Sequence, residues 1–440
     1  MKNSITAKKI VSAVLAGALC AAALPSFASC SKTPTLRIAS WEEYIDEGDE
    51  TNNPMVEDFE VWYEQQTGNK IKVEYVPLDD NETMYNKISL GEKYDLLCPS
   101  EYMIMKLQAE GKLEKFSESF FDTSVDTNYY AKNVSPYIDK TFTEGKFTNG
   151  ESWRDYAAGY MWGTTGFVVK HELDEEAQSW NIVKNHGAKA TAKNNVRDSY
   201  FMGLGMYYEN QIAEGSLTKE AFTAAIADKM NDTSAGAMDA VKTLLTQVKT
   251  SGVRFETDDA KEAVIAGEYD VSYQWSGDAV YILDLAEEEN EITLDYVIPS
   301  LASNLWFDGW VMMKGANVNA AAAFINFVSM PENAVRNCDY IGYTPCVGGK
   351  AVFDYFAETY SAADGAVESM VDYDLSYFFA ADGNHNENYV LSVPESQLRR
   401  QLFAQFPDEE TIKRLVVMRY FDAATNERAN SMWNDVSAAN

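Results

Sequence analysis

The chain has 440 residues, with 36 Lys and Arg side chains and 68 Asp and Glu side chains, which gives a formal net charge of −32. A field of this sign argues against nucleic acid or anionic lipid as a partner and favours encounter with cations. A hydrophobic share of 46% in a chain of this length provides for the cores of two or more lobes.

The N-terminal residues have the layout of an export signal, in which lysines precede an apolar stretch over residues 10–24. The segment Phe27-Ala28-Ser29-Cys30 resembles a bacterial lipobox. It predicts a signal peptide over residues 1–29, lipidation of Cys30 and a lipidated tether over residues 30–35. Ordinary cleavage after Ala28 or Ser29 is the alternative. We therefore expect a protein of the periplasm or cell surface that is held to the membrane through its lipid.

Export permits disulfides, but the mature chain after Cys30 holds only Cys98, Cys338 and Cys346, too few for a disulfide framework. Cys338 and Cys346 form the nearest pair, and buried free thiols are equally consistent with the sequence.

The first elements after the signal indicate an α/β lobe. Residues 35–41 and 70–76 alternate apolar and polar side chains as strands do, and residues 53–67 between them predict a helix that ends at Gly68. Residues 94–99 predict a buried strand and residues 103–110 a helix, so the lobe is doubly wound. Ligands of such sheets bind beyond the carboxyl ends of the strands, where Trp41, Ser100 and Tyr102 fall.

A second set of elements follows. Strands are expected over residues 160–169, 268–274 and 293–298, and helices over residues 218–253 and 317–327. The two glycines in Trp162-Gly163-Thr164-Thr165-Gly166 suit a strand that crosses between lobes. Residues 352–387 are rich in Tyr, Phe and Asp without a clear period, and we interpret them as an insertion.

Three segments place a tryptophan close to an acidic residue: Trp41-Glu42-Glu43-Tyr44, Trp275-Ser276-Gly277-Asp278 and Trp306-Phe307-Asp308. An aromatic face beside a carboxylate is what an organic ammonium group needs once it leaves water, through cation–π attraction and a charge-assisted hydrogen bond. The repeated pattern predicts a cage for a small organic cation, and a linear polyamine fits it.

These segments, with Tyr94-Asp95-Leu96-Leu97-Cys98-Pro99-Ser100-Glu101-Tyr102 and Ile341-Gly342-Tyr343-Thr344-Pro345, occur in the order and spacing of one family. The chain resembles the spermidine/putrescine-binding proteins of bacterial ABC transporters over nearly its whole mature length. The resemblance implies a two-lobed periplasmic-binding-protein fold, type II-like, that closes over its ligand. It implies a first lobe over residues 36–163 and 308–350, and a second over residues 164–307 and 351–440.

The resemblance also implies roles for individual residues. Aromatic walls of the cleft are expected from Trp41, Tyr44, Trp275, Trp306 and Tyr343, polar contacts from Ser100 and Tyr102, and ammonium partners from Glu43, Asp198 and Asp308. The chain departs from the spermidine-type pattern at Asn195-Val196-Arg197-Asp198, where Asn195 replaces the first of two acids. Asp278 matches an acid of the putrescine-type relatives, so both putrescine and spermidine stay open as ligands.

The family resemblance implies a non-enzymatic, monomeric protein without cofactor or metal that delivers its ligand to ABC transporter permease subunits. Glycosidases also pair carboxylates with aromatic rings, but the sequence offers no nucleophile triad, phosphate loop or metal-ligand spacing. A closer alternative is a solute-binding or sensory lipoprotein for another small organic cation or an amino acid derivative.

Overall fold

The computed structural model describes residues 33–256, 260–361 and 369–439. The predicted signal peptide and the predicted lipidation site Cys30 lie outside these ranges. None of the described helices is long and apolar enough to cross a membrane.

The strands of the described residues form one large mixed sheet and a separate antiparallel pair. They are β1 (Thr35–Trp41), β2 (Lys72–Leu78), β3 (Leu96–Leu97), β4 (Leu113–Glu114), β5 (Ala157–Lys170), β6 (Ala190–Lys193), β7 (Arg254–Glu256), β8 (Val271–Trp275), β9 (Leu294–Val297), β10 (Ser303–Met313), β11 (Thr344–Pro345), β12 (Met370–Asp374), β13 (Val390–Pro394) and β14 (Leu415–Val416). The large sheet has the order β2-β1-β3-β10-β5-β8-β6-β7, while β4 and β14 pair with β10, and β9 and β11 pair with β5. Strands β12 and β13 form the separate pair.

Helices cover the sheet along the whole described chain. They are α1 (Met55–Thr67), α2 (Asn81–Ser89), α3 (Glu101–Ala109), α4 (Tyr129–Asn133), α5 (Pro136–Glu144), α6 (Ile182–His186), α7 (Val196–Ala213), α8 (Lys219–Ala224), α9 (Ile226–Lys229), α10 (Ala235–Thr250), α11 (Ala260–Ile265), α12 (Ser276–Asn290), α13 (Val318–Val328), α14 (Pro331–Ile341), α15 (Lys350–Tyr360), α16 (Ser376–Phe379), α17 (Gln401–Gln405), α18 (Glu409–Ile412) and α19 (Ala423–Ser437).

The first predicted elements, two strands with a helix between them, are confirmed. Strand β1 has the predicted bounds and pairs in parallel with β2 and β3. Helix α1 ends where Gly68 adopts a φ of 71°, a conformation that glycine tolerates without steric cost. The single helix expected over residues 218–253 is instead three helices, α8 to α10, and the Thr218 side chain caps the first of them.

The long strand β5 runs through both halves of the sheet. Strand β5 pairs with β10 up to Thr164, and from Thr165 onward it pairs with β8. Because β5 changes partners at the predicted Trp162–Gly166 segment, this segment lies where one half of the sheet passes into the other. The first half contains β1 to β3, and the second contains β6 to β9.

The C-terminal third of the chain contributes to the cores of both halves. Aromatic side chains from α15 to α17 share a core cluster with residues of β1, β3, β5 and β10, as in the stacked pair of Trp162 and Phe378, whose ring centroids are 5.5 Å apart. Side chains from β14 to α19 pack with α7 and α10 instead. The predicted assignment of residues 351–440 to the second lobe stays a prediction, and these contacts divide the segment. Within the predicted insertion, the described residues 352–361 and 369–387 include most of α15 and all of β12 and α16. Their aromatic side chains join the core, which a sequence without a clear period did not predict.

The three cysteines of the mature chain within the described residues are buried and free. Of the two alternatives that the sequence left open, the structure therefore has free thiols and not a Cys338–Cys346 bridge.

Candidate ligand-binding site

The carboxylate of Asp308 lies at the junction of β10, β1 and β3. Its side chain is only 5% exposed. Trp41 Nε1 donates a hydrogen bond of 3.1 Å to Asp308 Oδ2, and the Tyr44 hydroxyl donates one of 2.7 Å to the same oxygen. The other oxygen, Asp308 Oδ1, is buried and has no hydrogen-bond partner of ordinary geometry among the described residues.

The strand ends explain why these side chains meet. Trp41 is the last residue of β1, and Ser100 follows β3 and precedes α3. Both strands end at the same edge of the sheet because they run in parallel. Strand β10 runs antiparallel to β3, and Asp308 forms an isolated bridge with Ser100 at that edge. The pairing of β10 with β5 is irregular just after Asp308.

The electrostatic environment of Asp308 lacks a cation. Burial raises the pKa of Asp308, and the nearby polar groups of Ser100, Tyr44 and Trp41 oppose that increase. Ser100 lies beside the carboxylate but makes no hydrogen bond of ordinary geometry to Oδ1. No positively charged side chain is among the described groups that shift it. A desolvated carboxylate without a counter-ion costs free energy, so this end of the site favours a cationic occupant.

Aromatic rings adjoin this carboxylate and lead away from it. The rings of Tyr44 and Tyr343 meet edge to face with centroids 6.0 Å apart, and those of Trp306 and Tyr343 are 5.5 Å apart. Trp306 is held by a hydrogen bond of 3.0 Å from its Nε1 to the carbonyl oxygen of Thr164. A Cβ atom at Gly277 would overlap the Tyr343 ring, which explains the glycine in Trp275-Ser276-Gly277-Asp278.

Tyr343 connects the Asp308 cluster to a second acidic residue. Its hydroxyl donates a hydrogen bond of 3.1 Å to Asp278 Oδ1. Asp278 lies in the first turn of α12, directly after β8, and is 4% exposed. Its Oδ2 is 3.0 Å from Lys193 Nζ, and its Oδ1 is 2.9 Å from Lys261 Nζ.

The two lysines determine the charge state of Asp278. Burial alone would raise the pKa of Asp278, but the ammonium groups of Lys193 and Lys261 outweigh burial and the pKa is lowered. The Lys193 side chain is 0% exposed, and its Nζ lies 3.8 Å from the centroid of the Trp275 ring. The predicted Trp275/Asp278 cage therefore holds an ammonium group that belongs to the protein itself.

Asp198 belongs to the same end of the site. It is 3% exposed, and burial raises its pKa to about 6, opposed by Lys193 and by a hydrogen bond with Trp275. Asn195, at which the sequence loses an acid, has a structural role here. Its side chain accepts hydrogen bonds from the backbone N–H groups of Arg197 and Asp198 and so caps α7.

Two predicted site residues have other contacts. The Tyr102 hydroxyl donates a hydrogen bond of 3.2 Å to Glu82. The guanidinium of Arg197 lies 4.5 Å from the centroid of the Tyr102 ring. Glu43 is exposed, has a φ of 50°, and shares none of the hydrogen bonds described for Asp308. Ser100 lies beside Asp308 and accepts a hydrogen bond of 3.0 Å from Asn81.

The sequence analysis did not predict three buried charged side chains that lie near the candidate site. Lys193, Arg197 and Glu101 are at most 6% exposed. Burial, with a smaller contribution from Asp308, raises the pKa of Glu101 to about 8. One signal was available for Lys193, because it ends β6 at the strand edge where ligand contacts are expected.

The described residues include one group with the side chains of a metal site, His171, Asp174 and Asp295. The protein's own cations already pair with both acids. His171 Nδ1 is 2.6 Å from Asp295 Oδ2, and Arg399 Nε lies 3.2 Å from Asp174 Oδ2 and 3.4 Å from Asp295 Oδ2. This group therefore gives no independent reason to expect a metal ion.

Comparison with known proteins places the whole arrangement in context. Residues 55–351 match the family described as bacterial extracellular solute-binding protein. A spermidine/putrescine-binding periplasmic protein of Salmonella typhimurium is 26% identical over 328 residues, which cover 72% of this chain and 79% of that protein. A protein of the same name from Escherichia coli is 25% identical over 326 residues, with the same two shares.

The solved structures show the fold. The substrate-binding protein of a spermidine/putrescine ABC transporter from Streptococcus pneumoniae superposes with a TM-score of 0.59 at 24% identity, covering 92% of this chain and 99% of the other. The predicted two-lobed α/β fold of periplasmic binding proteins is confirmed.

Proposed function

The chain belongs to the bacterial extracellular solute-binding protein family, and on this premise we propose that it captures a polyamine, putrescine or spermidine, between its two lobes. The observation that carries the proposal is Asp308 Oδ1, a buried carboxylate oxygen without a hydrogen-bond partner of ordinary geometry beside three aromatic side chains. The ligand names of relatives at 25% and 26% identity point to the same class of compound.

The chemistry of a polyamine suits this end of the cleft. A primary ammonium group supplies both the positive charge and the hydrogen-bond donor that Asp308 lacks. The faces and edges of Trp41, Tyr44 and Tyr343 exclude water from the first methylene groups and add cation–π attraction.

Asp198 and Asp278 lie at the other end of the proposed path, in the half of the sheet that contains β8. Trp41, Tyr44 and Ser100 come from the half that contains β1. A ligand whose ammonium binds Asp308 and whose carbon chain reaches the residues of the other half binds the closed arrangement of the lobes better than an open one, and ligand binding thereby drives closure.

In this proposal the protein is a non-enzymatic component of an ABC transporter that passes its ligand to permease subunits. It acts in the periplasm or at the cell surface, anchored through lipid on Cys30. Substitution of Cys30 by Ala tests the anchor, because the variant is expected in the soluble fraction and the parent protein in the membrane fraction. Equal distribution of both proteins would contradict the anchor and leave ligand binding untouched.

Calorimetric titration tests the ligand. The mature domain is freed of copurified ligand by unfolding and refolding, and it is then titrated with putrescine, spermidine, spermine and arginine. We expect one-to-one binding of putrescine or spermidine, and a loss of about tenfold to a hundredfold in Asp308→Asn, since a hydrogen bond to a charged group contributes about 1.5–3 kcal/mol. Asp126→Asn, which removes an exposed charge from the same lobe, is the matched control.

Binding of neither polyamine would contradict the proposed ligand class. Equal affinities in Asp308→Asn and Asp126→Asn would show that the ligand binds away from Asp308.

A further inference from the structure

Lys193 is a fully buried lysine in the cleft, and the proposed function does not use it. Its Nζ is 3.0 Å from Asp278 Oδ2 and 3.8 Å from the centroid of the Trp275 ring. These are the two kinds of contact, ion pair and cation–π, that a ligand ammonium would make at this position. Lysine presents its ammonium at the end of a flexible four-carbon stem, which is chemically the same unit as one end of putrescine.

We propose that Lys193 is a tethered competitor that occupies the Trp275/Asp278 position in place of the second ammonium group of the ligand. This inference rests on the proposed function and names the charge pattern that the site selects. The cleft accepts one ligand ammonium at Asp308 and gives little added affinity for a second one.

The balance of charges at the two ends supports this assignment. At one end the ammonium groups of Lys193 and Lys261 and the guanidinium of Arg197 act on the carboxylates of Asp278 and Asp198. At the other end no cation is among the described groups that shift the pKa of Asp308. A further ammonium group brought to the first end would meet an already balanced cluster, and it must displace Lys193 to gain a partner.

Tethering makes Lys193 an effective competitor. An ammonium group on a short flexible stem has an effective concentration in the millimolar range or higher, above that of a dilute ligand. If Lys193 holds the position for about nine-tenths of the time, the apparent affinity for a second ammonium falls about tenfold. An amine with one positive charge does not enter this competition.

Two compounds with the same four-carbon chain separate the contributions of the two ends. Putrescine carries an ammonium group at each end, and N-acetylputrescine carries one, with a neutral amide at the other. For the parent protein we expect N-acetylputrescine to bind at least as tightly as putrescine. In Lys193→Met, which keeps the apolar stem and leaves Lys261 beside Asp278, we expect the affinity ratio of putrescine to N-acetylputrescine to rise about tenfold.

Matched variants test whether the gain comes from this position. Lys189→Met removes an exposed lysine immediately before the same strand and is expected to leave the ratio unchanged. In the double variant Lys193→Met/Asp278→Asn the gain should disappear, because the acid that receives the second ammonium is gone. If Lys193→Met does not fold, the comparison of the two ligands with the parent protein alone decides.

Parent protein that binds putrescine tenfold or more tightly than N-acetylputrescine would overturn the inference. So would an unchanged ratio in a folded Lys193→Met variant. Both results require that an amine binds, so they are distinct from a failure of the proposed function, in which neither compound binds the parent protein.

Discussion

Replacing Asp308 by Asn should make the ligand-free protein more stable while it weakens ligand binding. Asn keeps an oxygen for the hydrogen bonds from Trp41 and Tyr44, and it places an NH₂ group where Oδ1 stood beside Ser100. An unsatisfied buried acceptor costs about 1–3 kcal/mol, and more when it is charged. We therefore expect the free energy of unfolding of ligand-free Asp308→Asn to exceed that of the parent protein by about 1–3 kcal/mol near pH 8.

The direction of the pKa shift of Asp308 determines how the stability difference between Asp308→Asn and the parent protein changes with pH. Burial raises the pKa of Asp308 above its value in the unfolded chain, so the folded protein takes up a proton more readily than the unfolded chain. The destabilising effect is absent below the unfolded pKa of about 3.9 and grows as pH rises through the folded pKa. Asp308 also contributes to the raised pKa of Glu101, and loss of this repulsion in Asp308→Asn acts in the same direction.

Denaturant unfolding of the ligand-free parent protein, Asp308→Asn and Asp126→Asn at pH 4 and pH 8 measures this difference. The advantage of Asp308→Asn should be large at pH 8 and small at pH 4, and Asp126→Asn should show neither. A loss of stability in Asp308→Asn that is equal at both pH values would refute the view that Asp308 is an uncompensated buried charge.

Three further changes probe the surroundings. Gly277→Ala places a Cβ atom against the Tyr343 ring and should weaken polyamine binding at least tenfold in calorimetry; unchanged affinity would show that the ring moves freely. Asn195→Ala removes the cap of α7 and should lower the free energy of unfolding by about 1 kcal/mol, with less than a tenfold change in affinity. Trp41→Phe keeps a ring but loses the donor to Asp308; since the carboxylate then loses a hydrogen bond, we expect its pKa to rise further, as followed by carboxyl NMR.

The Asp308 end of the site was accessible to sequence reasoning because its residues follow a simple rule of sheet geometry. Trp41 and Ser100 lie at the ends of parallel strands, so they must lie at one edge of the sheet. Asp308 belongs to Trp306-Phe307-Asp308, one of the segments in which a tryptophan lies close to an acidic residue. Strand and helix periods located β1, α1, β5, β8 and β9 to within a few residues, but they did not predict β10, the strand that carries Asp308.

At the other end the sequence predicted Trp275, Asp278 and Asp198 but not the lysine that pairs with Asp278. Nothing local in Ala190–Lys193 indicates that Lys193 is buried, since the burial depends on Asp278 and Trp275. Asn195 looked like the loss of an acid, while its role as a helix cap depends on the start of α7. The described residues 352–361 and 369–387 show no clear period because aromatic contacts with distant residues, such as that of Phe378 with Trp162, hold them in place.

A crystal structure of the mature domain with putrescine or spermidine tests the central claim most directly. The account predicts a ligand nitrogen about 2.7–2.9 Å from Asp308 Oδ1, the usual length of a charge-assisted hydrogen bond. A ligand whose ammonium groups all lie elsewhere, with Asp308 Oδ1 still without a partner, would contradict it.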